Sequence, residues 1–147
     1  MISKKINLVA VFVFAIIFNV VAQDASSIVG KWKTVDEETN EAKSIVEIYE
    51  SHGTYFGKIT EIINPADRDN TCIYCKGDEK GLPLIGLSII KDLKEEDNKY
   101  TDGTIFDPEK GKKYNAKLWV DENDSNLLNV RGYIGFLHRT QHWYRVE

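Results

Sequence analysis

Hydrophobic and polar residues alternate along most of this chain, in short segments separated by turn-forming residues. In residues 113–120, the positions of Tyr114, Ala116, Leu118 and Val120 are two apart. Because side chains alternate between the two faces of a strand, these four share one face. No segment shows a sustained apolar stripe at helical spacing. The pattern predicts about eight strands, at residues 30–36, 44–50, 54–63, 85–93, 100–107, 113–120, 127–134 and 139–146.

The spacing of these strands predicts an all-β fold. Short strands joined by turns of hairpin length are typical of sandwiches and barrels, and residues 64–84 form the one long irregular segment. Sequential hairpins favour an up-and-down order, and closure of the sheet leaves no exposed edge strand. We therefore predict a single antiparallel up-and-down β-barrel over residues 23–147, with bends or bulges at the glycines inside strands, Gly57, Gly103 and Gly132.

Residues 1–22 depart from the alternating pattern. A head with Lys4 and Lys5 is followed by an apolar run over 6–21, and Ala22 ends the small residues before a polar stretch. This order predicts a secretory signal peptide at residues 1–22. The apolar run is shorter than the about 20 residues of a spanning helix, so no stable membrane insertion is expected after cleavage. The protein is therefore expected in the periplasm or outside the cell.

The charge of the chain argues against some classes of partner. Without the two lysines of residues 1–22, 17 basic and 23 acidic residues leave a net charge of −6. Proteins that bind nucleic acid or anionic membranes have a basic footprint. We therefore expect no nucleic-acid partner.

The two cysteines, Cys72 and Cys75, are separated by two residues. In an oxidising compartment so close a pair favours a structural disulfide. Two alternatives stay open. A metal site would need two more ligands, since no second cysteine pair exists, and a redox-active dithiol usually belongs to a βαβ unit that the pattern does not show.

The sequence contains no specific catalytic or metal-binding pattern. The chain has no Gly-x-Ser-x-Gly elbow, phosphate loop or dinucleotide fingerprint. His138 and His142 fall in and before a strand, where four residues span roughly 13 Å, too far for one ion to bridge. We therefore predict no enzyme activity, no cofactor and no metal site.

Polar residues share strand faces with tryptophans and tyrosines, which suggests a site inside the barrel. Arg139, Gln141, Trp143 and Arg145 have the spacing of one strand face, as do Asn129, Arg131 and Tyr133. Buried charge is costly unless it is paired. One interpretation is therefore a structural ion pair, with Asp36 or Asp107 opposite Arg131 or Arg145.

The other interpretation is a polar anchor in a ligand cavity. We favour the structural role for Arg145 and the anchoring role for Arg131, whose neighbour Gly132 leaves room for close approach. The predicted ligand-binding residues are Trp32, Tyr55, Tyr114, Arg131, Tyr133, Gln141 and Trp143.

Five ordered blocks of the sequence form a recognisable set. The blocks are Gly30 to Asp36 with Ser44 to Tyr49, Cys72 to Gly77 with Lys80 to Gly86, Gly103 to Tyr114, Val130 to Gly135, and Arg139 to Arg145. Together they resemble the secreted bacterial family known as domain of unknown function 2147. Asn40 and His138 stand where the family pattern has glycine. The resemblance implies a compact β-barrel in the periplasm or outside the cell, and it implies no established activity.

A shorter pattern is similar to that of lipocalin-type barrels, in which an arginine on the last strand packs across a Gly-x-Trp on the first strand. Gly30 and Trp32 have that spacing, and Arg145 or Arg139 lies on the last predicted strand. The likeness implies a calycin-like or lipocalin-like barrel, with structural roles for Gly30 and Arg145 at its closed end.

Two functions are compatible with these features. The leading one is non-catalytic binding of a small apolar or aromatic ligand in the barrel mouth, with an arginine fixing an acidic group. The alternative is an envelope interaction module, in which the loop at residues 64–84 contacts a protein partner or the cell wall. An internal cavity would favour the first, and an exposed apolar patch on a filled barrel would favour the second.

Overall fold

The computed structural model describes residues 24–147, so the signal peptide predicted at residues 1–22 lies outside the described residues. Two short 3₁₀ helices, Pro65–Asp67 and Gly77–Glu79, lie between the third and fourth strands, and neither is long and apolar enough to cross a membrane. The strands are β1 (Gly30–Val35), β2 (Ala42–Ser51), β3 (Thr54–Ile62), β4 (Ser88–Glu96), β5 (Lys99–Asp107), β6 (Lys112–Val120), β7 (Leu127–Ile134) and β8 (Leu137–Val146).

The eight strands form a closed antiparallel barrel in sequence order. Each strand pairs with the next one, and β8 pairs with β1 through partners such as Trp32 and Arg145. Closure satisfies the backbone groups that an edge strand would expose. The predicted up-and-down barrel is confirmed.

The predicted strand positions lie within one residue of the observed ones except in β4, in β8 and in β2, which begins two residues early at Ala42. β4 begins at Ser88, three residues later than predicted, because Gly86 has a φ of 93°, which interrupts an extended strand. β8 begins at Leu137, two residues earlier than predicted, because a tight turn with Gly135 at a φ of 58° joins it to β7. Asn40, in place of the family's glycine, adopts a φ of 58° in the β1–β2 connection.

Two of the three strand glycines lie at irregularities of the ladder. Pairing shifts register beside Gly57 in β3 and before Gly103 in β5. Gly103 also faces the backbone of β4, where a Cβ atom would lie 2.3 Å from the carbonyl oxygen of Lys91. Gly132 stays in regular register with Ala116, so no bulge lies at this position, and its missing side chain leaves space for the Tyr114 ring.

One end of the barrel is filled by large side chains. Residues 24–29 lie over this end, where Trp32 is fully buried and donates from Nε1 to the carbonyl of Ile28 at 2.7 Å. Burying such side chains contributes about 1.5–3 kcal/mol each. We call this the closed end, and its core side chains include Ile28, Trp32, Ile48, Leu93, Tyr100, Leu118 and Leu128.

Candidate functional site

The opposite end of the barrel holds a cavity of about 650 Å³. We call this the open end. Its mouth is formed by the β1–β2 and β5–β6 turns and by the loop at residues 64–84. The walls are mainly apolar, because strands β3 to β8 and the end of the loop at residues 64–84 contribute aliphatic and aromatic side chains: Ile59, Ile62, Leu84, Ile89, Ile105, Phe106, Tyr114, Val130 and Trp143.

Trp143 combines burial with an unused hydrogen-bond donor. It lines the cavity, and its side chain is 3% exposed. Its Nε1 has no hydrogen-bond partner within residues 24–147. A buried donor without an acceptor costs about 1–3 kcal/mol.

A pair of hydroxyls lies on the wall toward the mouth. Thr34 and Ser44 are opposite each other in β1 and β2, and their hydroxyl oxygens are 2.8 Å apart. Both residues line the cavity. They give one side of an apolar cavity two polar groups that can donate or accept.

Two aspartates at the mouth hold the turns in shape. Asp36 accepts hydrogen bonds from the backbone N–H groups of Glu38 and Thr39, at 2.9 and 3.0 Å, and these bonds lower the pKa of Asp36. Asp107 accepts in the same way from Glu109 and Lys110. Carboxylates commonly stabilise turns through such bonds.

This arrangement corrects the predicted ion pair. Neither Asp36 nor Asp107 forms a salt bridge with Arg131 or Arg145, and Asp107 lies instead 3.8 Å from the amine of Lys110. The prediction was wrong because both aspartates lie in turns at the open end, whereas Arg145 lies at the closed end and Arg131 on the outer surface.

The two basic residues that line the mouth are already paired. Arg139 forms an ion pair with Glu37, and the amine of Lys43 lies 2.6 Å from the Glu109 carboxylate. Further carboxylates line the mouth, including Glu41 and Asp67. The mouth is therefore acidic on balance, and neither cation is free of a carboxylate.

Three of the predicted ligand-binding residues line this cavity: Tyr114, Gln141 and Trp143. They come from β6 and β8, whose inward positions reach the open end. Gln141 is exposed at the mouth and Trp143 is buried two residues deeper. Their part in ligand binding stays a prediction.

Trp32 and Tyr55 lie away from the cavity. Trp32 belongs to the closed end, with the guanidinium carbon of Arg145 4.2 Å from the centre of its ring. Tyr55 packs edge-on against Tyr100 and donates its hydroxyl to Glu95 at 3.1 Å. Gly30 begins β1 with a φ of 132°, which suits a residue without a side chain.

Arg131 and Tyr133 lie on the outer face of the barrel, contrary to the prediction that Arg131 points inward. Within β7, Leu128 and Val130 are the inward residues, so the residues at odd positions face outward. The Nε of Arg131 donates to the Thr140 hydroxyl at 2.7 Å, and its guanidinium carbon lies 5.0 Å from the centre of the Trp119 ring.

The ligand-binding residues that we predicted from the sequence do not include most of the apolar wall of the cavity. Ile59, Ile62, Ile89 and Ile105 line the cavity. The alternating pattern indicated them only in part, since in β4 Ile89 is next to Ile90, which is also buried. The bulge in β3 between Ile59 and Ile62 hides it there, because the residues are three rather than two positions apart.

The disulfide between Cys72 and Cys75 is confirmed. Both cysteines are buried in the core cluster, and Cys72 exchanges backbone hydrogen bonds with Gly81 and Leu82. The loop at residues 64–84 is thereby folded onto itself, and its ends reach the cavity through Asn64, Asp67, Asn70 and Leu84.

The potential metal ligands in the described part of the chain are dispersed. Within residues 24–147, no three histidine, cysteine, aspartate or glutamate side chains group closely enough to hold an ion. The cavity offers instead an apolar volume with a polar, acidic entrance. Such a site can enclose the apolar body of a small molecule and leave its polar end at the mouth.

Comparisons with known proteins agree with this geometry. The family model described as "Uncharacterized protein conserved in bacteria (DUF2147)" matches residues 30–145. No curated protein matches the chain. The structure is similar to that of protein HP1028 from Helicobacter pylori, which is described as belonging to the lipocalin family. The TM-score is 0.70 at 17% identity, over 82% of this chain and 84% of that one.

Proposed function

We propose that this chain, which belongs to the bacterial family DUF2147, binds a small molecule with an apolar body in the cavity and does not transform it. The cavity of about 650 Å³ carries this proposal. Sites for small molecules usually have volumes of about 300–1,000 Å³ and mostly apolar walls with a few polar groups. An eight-stranded barrel is wide enough to hold one small ligand.

The fold supports the same proposal. HP1028 is described as a lipocalin, and at 17% identity the similarity to it concerns the fold alone. Export also fits, because the Cys72–Cys75 disulfide persists in oxidising compartments and is uncommon in the cytosol. We therefore place the binding function in the periplasm or outside the cell.

The mouth favours a ligand whose polar end is neutral or cationic. Arg139, the arginine at the mouth, is neutralised by Glu37, and Asp36 keeps its charge because backbone hydrogen bonds lower its pKa. An anionic head group would meet these carboxylates at close range, where like charges repel. The sequence led us to expect an arginine that fixes an acidic group of the ligand. We now expect the opposite, because the acidic entrance disfavours such a group.

Native mass spectrometry of the protein purified from its own host tests whether the cavity is used. We expect an adduct that is lost on denaturation. Gln141→Trp places a large ring in the mouth and should remove the adduct, whereas Thr104→Trp, on an outward position of β5, should keep it. If neither the unsubstituted protein nor the Thr104→Trp variant carried an adduct, ligand binding in the host would be contradicted.

A titration with matched ten-carbon amphiphiles tests the polarity of the ligand. Decanol and decylamine should bind at least tenfold more tightly than decanoate at neutral pH, measured by calorimetry. Tighter binding of decanoate would refute the acidic-mouth argument and leave the cavity proposal standing. Failure of all three amphiphiles to bind, in the native protein and at low salt, would count against the cavity itself.

A second candidate function rests on the loop at residues 64–84. Large apolar side chains are exposed there: Ile73 at 64%, Tyr74 at 54% and Leu82 at 45%. Exposed apolar patches often mark interaction sites. In this alternative the loop, held by its disulfide, contacts an envelope protein or the cell wall. An Ile73→Ser and Leu82→Ser variant should then lose co-sedimentation with envelope fragments while keeping the affinity for decanol.

A further inference from the structure

Charge is divided unevenly around the barrel. The strands β6, β7, β8 and β1 are neighbours in the sheet and contain no aspartate or glutamate. The same four strands contain eight lysines and arginines, of which Arg139 lies at the cavity mouth beside Glu37 and Arg145 lies at the closed end. The other four strands contain eight acidic residues. A chain with an acidic net charge therefore has one basic side.

The outward positions of these four strands form a continuous surface, which we call the basic face. Its central row runs across the sheet through Lys117, Arg131 and Thr140, which are register partners in β6, β7 and β8. The ladder places Lys33 opposite Tyr144 at the β8–β1 seam. Four such rows on four strands cover roughly 14 by 20 Å, from the spacings of a β-sheet.

Aromatic rings lie between the cations of the basic face. The Trp119 ring has the guanidinium carbon of Arg131 at 5.0 Å and the amine of Lys117 at 5.9 Å. The Tyr144 ring has the amine of Lys33 at 5.9 Å. Such contacts hold the cations over the aromatic faces. The face is therefore an ordered set of cations and rings.

The cations of the basic face have no carboxylate partners among the described residues. The salt bridges within residues 24–147 involve Lys43, Lys91, Lys110 and Arg139. Carboxylates near the face lie at its edge, in the β6–β7 turn, where Asp121 and Glu122 border the recess beside Trp119. The unpaired cations of the basic face therefore leave a surface that is complementary to an anionic partner.

Other side chains of the basic face suit a carbohydrate better than an apolar protein surface. Amides, hydroxyls and imidazoles fill its other accessible positions, including Asn115, Thr140, His138 and His142. These groups both donate and accept hydrogen bonds, as sugar hydroxyls require.

We propose that the basic face binds an anionic polysaccharide, a chain of sugars bearing carboxylate groups. The rings of Trp119, Tyr133 and Tyr144 contact the sugars, and Lys117, Arg131 and Lys33 pair with the carboxylates. This site is on the outside of the barrel, and it is separate from the cavity and independent of the function proposed for it. It also fits an exported protein, which meets the polymers of the cell envelope.

Calorimetric titration of the mature chain with oligogalacturonate tests this proposal. Binding should weaken at least tenfold between low and physiological salt, as expected for contacts between fixed charges and a polyanion. Neutral dextran of equal length should not bind. Absence of oligogalacturonate binding at low salt would overturn the proposal, and so would equal binding of dextran.

Paired variants locate the site. Lys117→Gln with Arg131→Gln should weaken oligogalacturonate binding at least tenfold, whereas Lys76→Gln with Lys80→Gln, an equal change of charge in an exposed loop, should alter it less than twofold. Equal weakening by both pairs would reject the basic face. Tighter binding of single-stranded DNA or anionic vesicles, or salt-sensitive self-association, would assign the face to another partner.

Discussion

The guanidinium carbon of Arg145 lies 4.2 Å from the centre of the Trp32 ring, at the closed end of the barrel. The two residues are also register partners where β8 closes onto β1. Arg145 donates hydrogen bonds to the carbonyls of Ser27, Val29 and Ser125, at 3.2, 3.5 and 3.1 Å. One side chain thus joins the segment before β1, the first strand and the β6–β7 turn.

Replacing Arg145 by Met should therefore destabilise the protein. The variant leaves these carbonyls without their charged donor, and hydrogen bonds to charged groups contribute about 1.5–3 kcal/mol. We expect the free energy of unfolding in urea to fall by about 2–3 kcal/mol.

Arg131→Met is the matched control for this prediction. Arg131 also lies over a tryptophan, at 5.0 Å from Trp119, but on the outer face and with one hydrogen bond, to Thr140. Its loss should change the free energy of unfolding by less than about 1 kcal/mol. A larger loss at Arg131 than at Arg145 would reverse the two assignments.

The closed end was largely predictable from the sequence. The Gly30-x-Trp32 spacing, with Arg145 on the last strand, indicated which residues meet, and the alternation of apolar residues predicted the strands that bring them together. Local patterns suffice here because strand register in a meander is set by short turns between neighbours in the sequence.

The open end was predictable only in part. Gln141 and Trp143 follow the inward period of β8, but Arg131 was assigned by its aromatic neighbours instead of by its position relative to Val130. A one-residue difference in a strand moves a side chain to the opposite face. The pairing of Arg139 with Glu37 joins a strand to a distant turn, and no spacing in the sequence specifies it.

Stability at high pH should depend on Tyr55. Burial and the Glu95 carboxylate raise the pKa of Tyr55 to about 12, above its ordinary value of 10.0. The unfolded chain therefore loses this proton first, so the contribution of Tyr55 is complete below about pH 10 and is lost as the pH rises to about 12. Urea unfolding at stepped pH should show this fall.

Tyr55→Phe should flatten that dependence while leaving some slope from Tyr100, whose pKa is also raised by burial. Tyr49→Phe is a suitable control, because Tyr49 stacks on Phe56 and has no hydrogen bond to a carboxylate in the described residues. An unchanged pH dependence in Tyr55→Phe would show that another group causes the fall.

The Cys72–Cys75 disulfide should stabilise the protein moderately. The ring that it closes spans four residues, for which the chain-entropy relation gives roughly 2 kcal/mol. A Cys72→Ser and Cys75→Ser double variant should lose about that amount, measured by urea unfolding, and should retain the far-ultraviolet circular dichroism of the barrel. Thiol labelling of the unreduced protein should detect no free cysteine, and a stoichiometric reaction would contradict the bond.

Two glycine substitutions should separate the needs of the fold from those of the cavity. A Cβ atom on Gly103 would lie 2.3 Å from the carbonyl oxygen of Lys91 and 2.6 Å from the nitrogen of Leu93, so backbone must move. On Gly132 it would lie 3.2 Å from Cβ of Tyr114, a side chain that lines the cavity. Gly103→Ala should therefore lower the free energy of unfolding in urea by about 3 kcal/mol or more, and Gly132→Ala should lower it by about 1 kcal/mol.

The Gly132→Ala variant should also change ligand binding. Because it pushes Tyr114 into the cavity, it should weaken decanol binding at least threefold. Gly53→Ala is the control, in the exposed turn between β2 and β3 at the closed end, and it should leave the decanol affinity unchanged despite some strain at a φ of 78°. Equal losses of stability at Gly103 and Gly132, or unchanged decanol affinity in Gly132→Ala, would show that the ladder is more compliant around these positions than its contacts indicate.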